Sequence, residues 1–254
     1  DMPGWKRFQR LARRDKKMLR MENQAKLRSK RNAPMYKYGF RVPKSVKEAL
    51  EIDKAHNNTR WKDSMALEIS QLQEYETFRN LGKGAHAPAG YKRIQVHMVF
   101  DIKHDGRHKS RMVAGGHLTD TPVESVYSGV VSLRSLRLVI FLAELNGLQL
   151  WGADIGNAYL EAKTKEKVYI IGGPEFGSEL EGCTLLIDRA LYGLKSSGAR
   201  WHDKLFDILR EMGWEVSKAD NDVWMRANGE CYEYIAVYVD DLAVAMKDPK
   251  AFMD

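Results

Sequence analysis

The chain has 254 residues, 44% of them hydrophobic and six of them Trp, enough to bury one large core or two smaller ones and too apolar for a disordered protein. Lys and Arg outnumber Asp and Glu by 41 to 34, a net charge of +7, and no run of 18 apolar residues exists, which excludes a membrane span. Two cysteines, Cys183 and Cys231, are too few for a disulfide framework and lack metal-ligand spacing, so both are expected to be inert core thiols of a soluble intracellular protein.

Charge is concentrated at the start. Residues 1–31 carry twelve Lys and Arg against three acidic residues, a net of +9 that leaves about −2 for the remainder. Trp5, Phe8, Leu11, Met18, Leu19 and Met21 recur at loosely helical intervals among Arg13, Arg14, Lys16 and Lys17. Three readings follow: a basic helix contacting nucleic-acid phosphates, which reward clustered cations through counterion release, a solvated linker, and, well behind both, binding to a membrane surface.

Beyond Pro34 the pattern turns globular. Asn58-Thr59 can open a helix whose Trp61, Met65, Ile69 and Leu72 form one apolar stripe, ending before a Gly82-Lys83-Gly84 loop. Ile94, Val96, Met98, Phe100 and Ile102 alternate with polar or smaller residues, as in a half-buried strand. Asp105-Gly106 then supplies a turn into a return strand on which Lys109 and Arg111 share a face. His104 and His108 flank that turn, where hairpin geometry spoils a zinc pair. The stretch from Ser132 to Ile140 opens a helix closed by Asn146-Gly147.

Leu148-Gln149-Leu150-Trp151 suits a short buried strand with Asp154 at its carboxyl end, where side chains project into crevices. Asp154 can serve there as a metal ligand or as a helix cap. Ser197 to Met212 form a helix with Trp201, Leu205, Ile208, Leu209 and Met212 on its apolar face and Gly213 as its stop. An Asn228-Gly229 turn leads to Tyr238-Val239-Asp240-Asp241 between two apolar runs, an Asp pair at the tip of a hairpin. Adjacent carboxylates repel unless a cation lies between them; the alternative is a simple polar turn. With Asp154, the pair offers three hard oxygen ligands suited to two Mg²⁺ or Mn²⁺ ions and to nucleotidyl transfer. Other catalytic signatures fail: Ala199-Arg200 stands where a phosphate loop needs Lys and Ser or Thr, and Ser128-Gly129 lacks the earlier glycine of a nucleophile elbow. Helices and strands mix without strict alternation, which indicates an α+β fold.

From about Val42 onward the chain resembles the copia-type retrotransposon reverse transcriptases. Three ordered boxes carry the likeness: Asp154 with Ala158-Tyr159, Leu191-Tyr192-Gly193-Leu194-Lys195 followed by Trp201, and Tyr238-Val239-Asp240-Asp241. The resemblance implies a right-hand polymerase with an antiparallel catalytic sheet. Its parts would be a basic arm over residues 1–33, a fingers region with N-terminal helices and basic hairpin over 34–147, and a palm over 148–254. The palm is expected to be incomplete at the C-terminus and the thumb absent, because the sequence stops thirteen residues beyond Asp241.

The implied activity is RNA-directed DNA polymerisation. Asp154, Asp240 and Asp241 would hold two Mg²⁺ or Mn²⁺ ions, Asp241 least directly. Lys109 and Arg111 would grip the triphosphate, Tyr159 would act as the steric gate against ribonucleotides, and Lys195 would lie near the nucleotide. Implied partners are a primed RNA or DNA template, dNTPs, and the remainder of a Pol polyprotein with thumb, ribonuclease H and integrase, in the cytoplasm within a virus-like particle or in the nucleus. Two departures from the family pattern stand out. Ser196-Ser197-Gly198-Ala199-Arg200 replaces Gln-Ala-Pro-Arg-Ala, and Gly115 replaces a common lysine. The alternative to an intact enzyme is a non-catalytic nucleic-acid-binding or structural remnant of a degraded retroelement.

Overall fold

The computed structural model describes residues 16–18, 20, 21, 33–116, 119 and 126–253. These divide into two compact units, one of residues 1–60 with 100–109, the other of residues 61–99 with 110–254. Both mix helices with sheets, and among the described residues strand pairing is predominantly antiparallel, with β4 (Lys92–Arg93) and β8 (Val168–Ile171) pairing in parallel. Among the described residues no helix is long and apolar enough to cross a membrane.

In the first unit, β1 (Met35–Lys37) and β2 (Phe40–Val42) form a hairpin ahead of α1 (Val46–Ala55). Ser45 caps that helix by accepting from the amide of Glu48, and Glu48 in turn pairs with Arg41 at 2.6 Å. This unit also holds the turn between β5 (Val96–Ile102) and β6 (His108–Ala114). Gly106, at φ +81°, donates to Lys103, whose amide donates to Arg107, so the Asp105-Gly106 turn is a three-residue loop closed by a glycine bulge.

The second unit is built around a five-stranded sheet in the order β10 (Glu215–Val216), β11 (Val223–Asn228), β12 (Cys231–Tyr238), β13 (Asp241–Met246), β7 (Gln149–Asp154). Alternation gives the sheet two apolar faces. Ile235, Val237, Leu242, Val244 and Met246 pack with Trp201, Leu205, Phe206 and Leu209 of α5 (Ser197–Glu211). Ala236 and Ala245 pack on Val139 and Ala143 of α3 (Leu133–Leu145). Ser132 caps α3 by accepting from Ser135, and Gly147 at φ +62° ends it, as the sequence predicts.

Three expectations need correction. The strand after Leu148 is not buried: it is the edge of the sheet, with Leu150 44% and Trp151 40% exposed, because only β13 covers one side of it. Gly82-Lys83 lies not in a loop but at the end of β3 (Phe78–Lys83), where a register shift against β9 (Cys183–Ile187) accommodates the glycine at φ +102°. On α5 the buried arc is turned toward Leu209 and Phe206, leaving Ile208 and Met212 exposed. Cys183 is buried, whereas Cys231 is only half-buried.

A second, four-stranded sheet has the order β3, β9, β8 (Val168–Ile171), β4 (Lys92–Arg93). The stripe Trp61, Met65, Ile69 and Leu72 on α2 (Arg60–Glu74) is buried as expected, and Glu68 is buried with it, accepting from the amide of Met112 at 2.8 Å. A buried carboxylate that accepts from a strand amide keeps that amide paired where no neighbouring strand reaches it.

Candidate active site

The acidic centre is fixed by strand register. β13 pairs with β7 so that Asp241 lies directly opposite Asp154, and β12 pairs with β13 so that Tyr238 lies opposite Asp241. Val239 and Asp240 are thus the two central residues of a tight hairpin turn. Its neighbour, between β11 and β12, has the same form: Asn228 pairs with Cys231 across Gly229 and Glu230. Both turns need a positive φ at the first central position. Gly229 meets that need at φ +66°, but at the second turn a β-branched Val239 sits at φ +60°. A valine in that region costs on the order of 1–3 kcal/mol and must be held by its surroundings.

Two hydrogen bonds hold it. The buried indole of Trp201 donates from Nε1 to the Val239 carbonyl at 2.7 Å, and the Ile155 amide donates to the Asp240 carbonyl at 2.8 Å. The first ties the turn to α5 and the second ties it to the residue after Asp154. The Asp pair is therefore anchored to the other candidate carboxylate through backbone, before any cation is considered.

Beside the turn lies a cluster of two tyrosines and an arginine. Tyr159 is on α4 (Ala158–Glu161), a single helical turn. Lys204 clamps the end of that turn by donating to the Glu161 carbonyl at 2.8 Å and to its carboxylate at 3.1 Å, and Arg189 donates to the same carbonyl at 3.2 Å. Tyr159 and Tyr192 have ring centroids 4.8 Å apart, and the Arg111 guanidinium lies over the Tyr192 ring at 4.7 Å. Burial raises the pKa of both phenols. The Asp240 charge raises them further and Arg111 opposes the rise, which places both charges and both rings in one electrostatic neighbourhood.

Local sequence explains why Tyr192 reaches Arg111. The Ala114 amide, three residues after Arg111, donates to the Tyr192 carbonyl at 2.6 Å. Gly193 and Gly116 let the two chains touch backbone to backbone: a Cβ on Gly116 would lie 2.2 Å from the Gly193 oxygen, and one on Gly193 would lie 2.2 Å from the Ala114 oxygen. The expected face of β6 is present, with Lys109, Arg111 and Val113 half-exposed and Ser110, Met112 and Ala114 buried between them.

Lys195 donates from Nζ to the Thr119 carbonyl at 2.6 Å. The residues that depart from the family pattern are engaged locally. Ser196 donates from both its amide and its hydroxyl to Glu166, Ser197 donates to the Leu191 carbonyl, and Gly198 leaves room beside Ser128 and the Tyr159 hydroxyl. Of the basic arm, Lys16 and Lys17 are exposed on helical backbone, while Arg13 and Arg14 lie outside the described residues.

Among the described residues no three His, Cys, Asp or Glu side chains form a ready metal cage. Mg²⁺ asks for less, since it takes one or two carboxylates and completes its octahedron with water and substrate phosphates. The register pair Asp154 and Asp241, with Asp240 in the adjoining turn, suits that mode of binding. Sequence reasoning missed Tyr192, Glu68 and the Trp201 bond to Val239. Tyr192 and Trp201 stand inside a recognised box, but nothing in their spacing announces which partner each would meet.

A family model described as reverse transcriptase (RNA-dependent DNA polymerase) matches residues 79–254. The chain is 26% identical over 219 residues to the retrovirus-related Pol polyprotein from transposon TNT 1-94 of Nicotiana tabacum, a match covering 82% of this chain and 16% of that protein. It is 30% identical over 188 residues to the transposon Ty1-LR2 and Ty1-ML2 Gag-Pol polyproteins of Saccharomyces cerevisiae, covering 72% of this chain and 10% of each. The chain thus spans about a tenth to a sixth of the length of these relatives. With its three boxes in order and the family model covering most of its length, the chain belongs to the reverse transcriptase family, in the copia-type retrotransposon branch.

Proposed function

We propose that this chain is the fingers and palm of an RNA-directed DNA polymerase that extends a primer by nucleotidyl transfer. The primer 3′-oxygen attacks the α-phosphorus of a dNTP, a new phosphodiester forms, and pyrophosphate leaves. The observation that carries the reading is the register that sets Asp241 across from Asp154 and Asp240 in the turn between β12 and β13, beside Arg111. Asp154, Asp240 and Asp241 would hold two Mg²⁺ or Mn²⁺ ions. Bound there, such ions lower the pKa of the attacking hydroxyl and stabilise charge on the phosphate oxygens.

The chain's own groups then have separable tasks. Arg111, joined by Lys109 on the same strand, neutralises the triphosphate and the charge that grows on pyrophosphate; the planar guanidinium can take two oxygens at once. Tyr159 packs where a ribose 2′-hydroxyl would project and so favours deoxyribonucleotides. Lys195 supports the nucleotide side of the site from the loop before α5. Lys16, Lys17, Arg13 and Arg14 add sequence-independent contacts to template phosphates. Partners are a primed RNA or DNA template, dNTPs and the rest of a Pol polyprotein, including thumb, ribonuclease H and integrase, inside the cell.

Primer extension by the full-length protein on poly(rA) primed with oligo(dT), with dTTP and Mg²⁺ or Mn²⁺, tests the reading. Metal-dependent extension is expected. Template binding without extension under either metal would favour the non-catalytic alternative.

A further inference from the structure

Tyr192 belongs to no task assigned above, yet it touches two of the residues that carry them. Its ring faces the Arg111 guanidinium at 4.7 Å and the Tyr159 ring at 4.8 Å, and it is half-buried between them. A cation over an aromatic face is attracted by the ring quadrupole, and the planar guanidinium is the cation best shaped to lie there. Tyr192 itself is held by backbone: its carbonyl accepts from the Ala114 amide, and the next residue is a glycine locked against β6 at φ +91°. A side chain fixed at its root and in contact with two neighbours leaves those neighbours fewer rotamers.

We infer that Tyr192 is a positioning residue that links Arg111 to Tyr159, so that one ring governs both nucleotide affinity and the choice between deoxyribose and ribose. The inference rests on the polymerase reading. Without the ring, Arg111 keeps its charge and its strand but loses the platform that orients its fork toward the triphosphate. Tyr159 loses the neighbour that keeps its own ring in place over the sugar. Arg111 carries charge and Tyr159 carries bulk, and Tyr192 is the contact they share. The phenol hydroxyl is not the working part, because both contacts are made by the ring.

Steady-state primer extension by the full-length protein tests this with Tyr192→Phe, Tyr192→Met and Arg111→Gln, singly and with Met and Gln combined. Methionine fills similar volume without a ring face, and phenylalanine keeps the face and drops the hydroxyl. Tyr192→Met is expected to raise KM for dTTP by about five-fold or more, in keeping with a cation–π contact, with kcat changed by less than about three-fold. It should also lower the preference for dTTP over UTP. Tyr192→Phe should restore both values to those of the wild type.

In the Arg111→Gln background the further effect of Tyr192→Met on KM should vanish, because the contact is already lost. Full multiplication of the two KM effects, or an unchanged KM and sugar preference in Tyr192→Met, would overturn the proposal. Should Tyr192→Met fail to fold, Tyr192→His keeps an aromatic face of smaller area and carries the same test: a KM and sugar ratio equal to the wild type with phenylalanine but intermediate with histidine supports the ring, and values equal in all three refute it. A wild-type protein that does not extend primers at all would instead sink the polymerase reading.

Discussion

Val239 is where the site departs most clearly from local preference. Two hairpin turns in the same sheet have the same two-residue length and a positive φ at the first central position, one with glycine there and one with valine. The valine turn is the one that carries Asp240, and its carbonyl is held by the Trp201 indole. Trp201→Phe keeps most of the buried ring and removes the donor, leaving a carbonyl without its partner. Loss of about 1–2 kcal/mol in unfolding free energy is expected, together with a fall of about ten-fold in kcat for primer extension, because the turn can then relax. Urea denaturation and single-nucleotide extension measure the two. A stability loss with kcat unchanged would reduce Trp201 to core packing.

Elements differ in how legible they were, and the difference follows from range. α3 could be placed from Ser132 to Gly147 because its cap, its stripe and its stop are all local signals within one helix. The hairpin around Asp240 was legible for the same reason, since two apolar runs flank a polar pair, although its tip is Val239-Asp240 and Asp241 already belongs to β13. The edge position of β7 was not, since Leu148-Gln149-Leu150-Trp151 has the composition of a covered strand, and exposure depends on which strands pair beside it. Nor was the meeting of Arg111 with Tyr192, residues 81 positions apart that are joined by a backbone contact only two glycines permit. That contact gives a contrast between two glycine-to-alanine changes. Gly116→Ala would drive a Cβ to 2.2 Å from a backbone oxygen and should cost more than about 2 kcal/mol. Gly152→Ala, on the exposed edge strand with nothing within 4 Å, should stay within about 0.5 kcal/mol of the wild type. Thermal unfolding of both variants checks this, and equal midpoints would refute the close approach.

Over the whole molecule, several carboxylates sit below their ordinary pKa. Burial alone would raise Glu233, but hydrogen bonds from Asn228, the Lys247 amide and Arg226 outweigh it. Asp220 is likewise lowered against its burial, by bonds from Ser135, from the Ser132 and Asp222 amides and from Ser132 again. Groups depressed on folding contribute stability above their unfolded values, here 3.8 for Asp and 4.5 for Glu, and lose it as pH falls through the folded values. His108 acts earlier: burial, then Arg60, lowers it from 6.5, so the folded state favours its neutral form and loses stability as pH falls below 6.5. Urea midpoints should therefore decline slightly below pH 6.5 and steeply below about pH 4.5. Glu233→Gln should flatten the steep part, and a midpoint unchanged down to pH 3 would contradict the assignment.

The central claim is that the three carboxylates gathered by β7, β13 and the turn between β12 and β13 form a nucleotidyl-transfer centre. Asp154→Asn and Asp240→Asn each keep the volume and the backbone bonds of the residue they replace and remove one ligand charge. Primer extension by the full-length protein on primed poly(rA) with Mg²⁺, run beside the wild type at matched thermal stability, should show loss of extension in both variants with binding of the primed template retained. Near-normal extension by either variant would contradict the account.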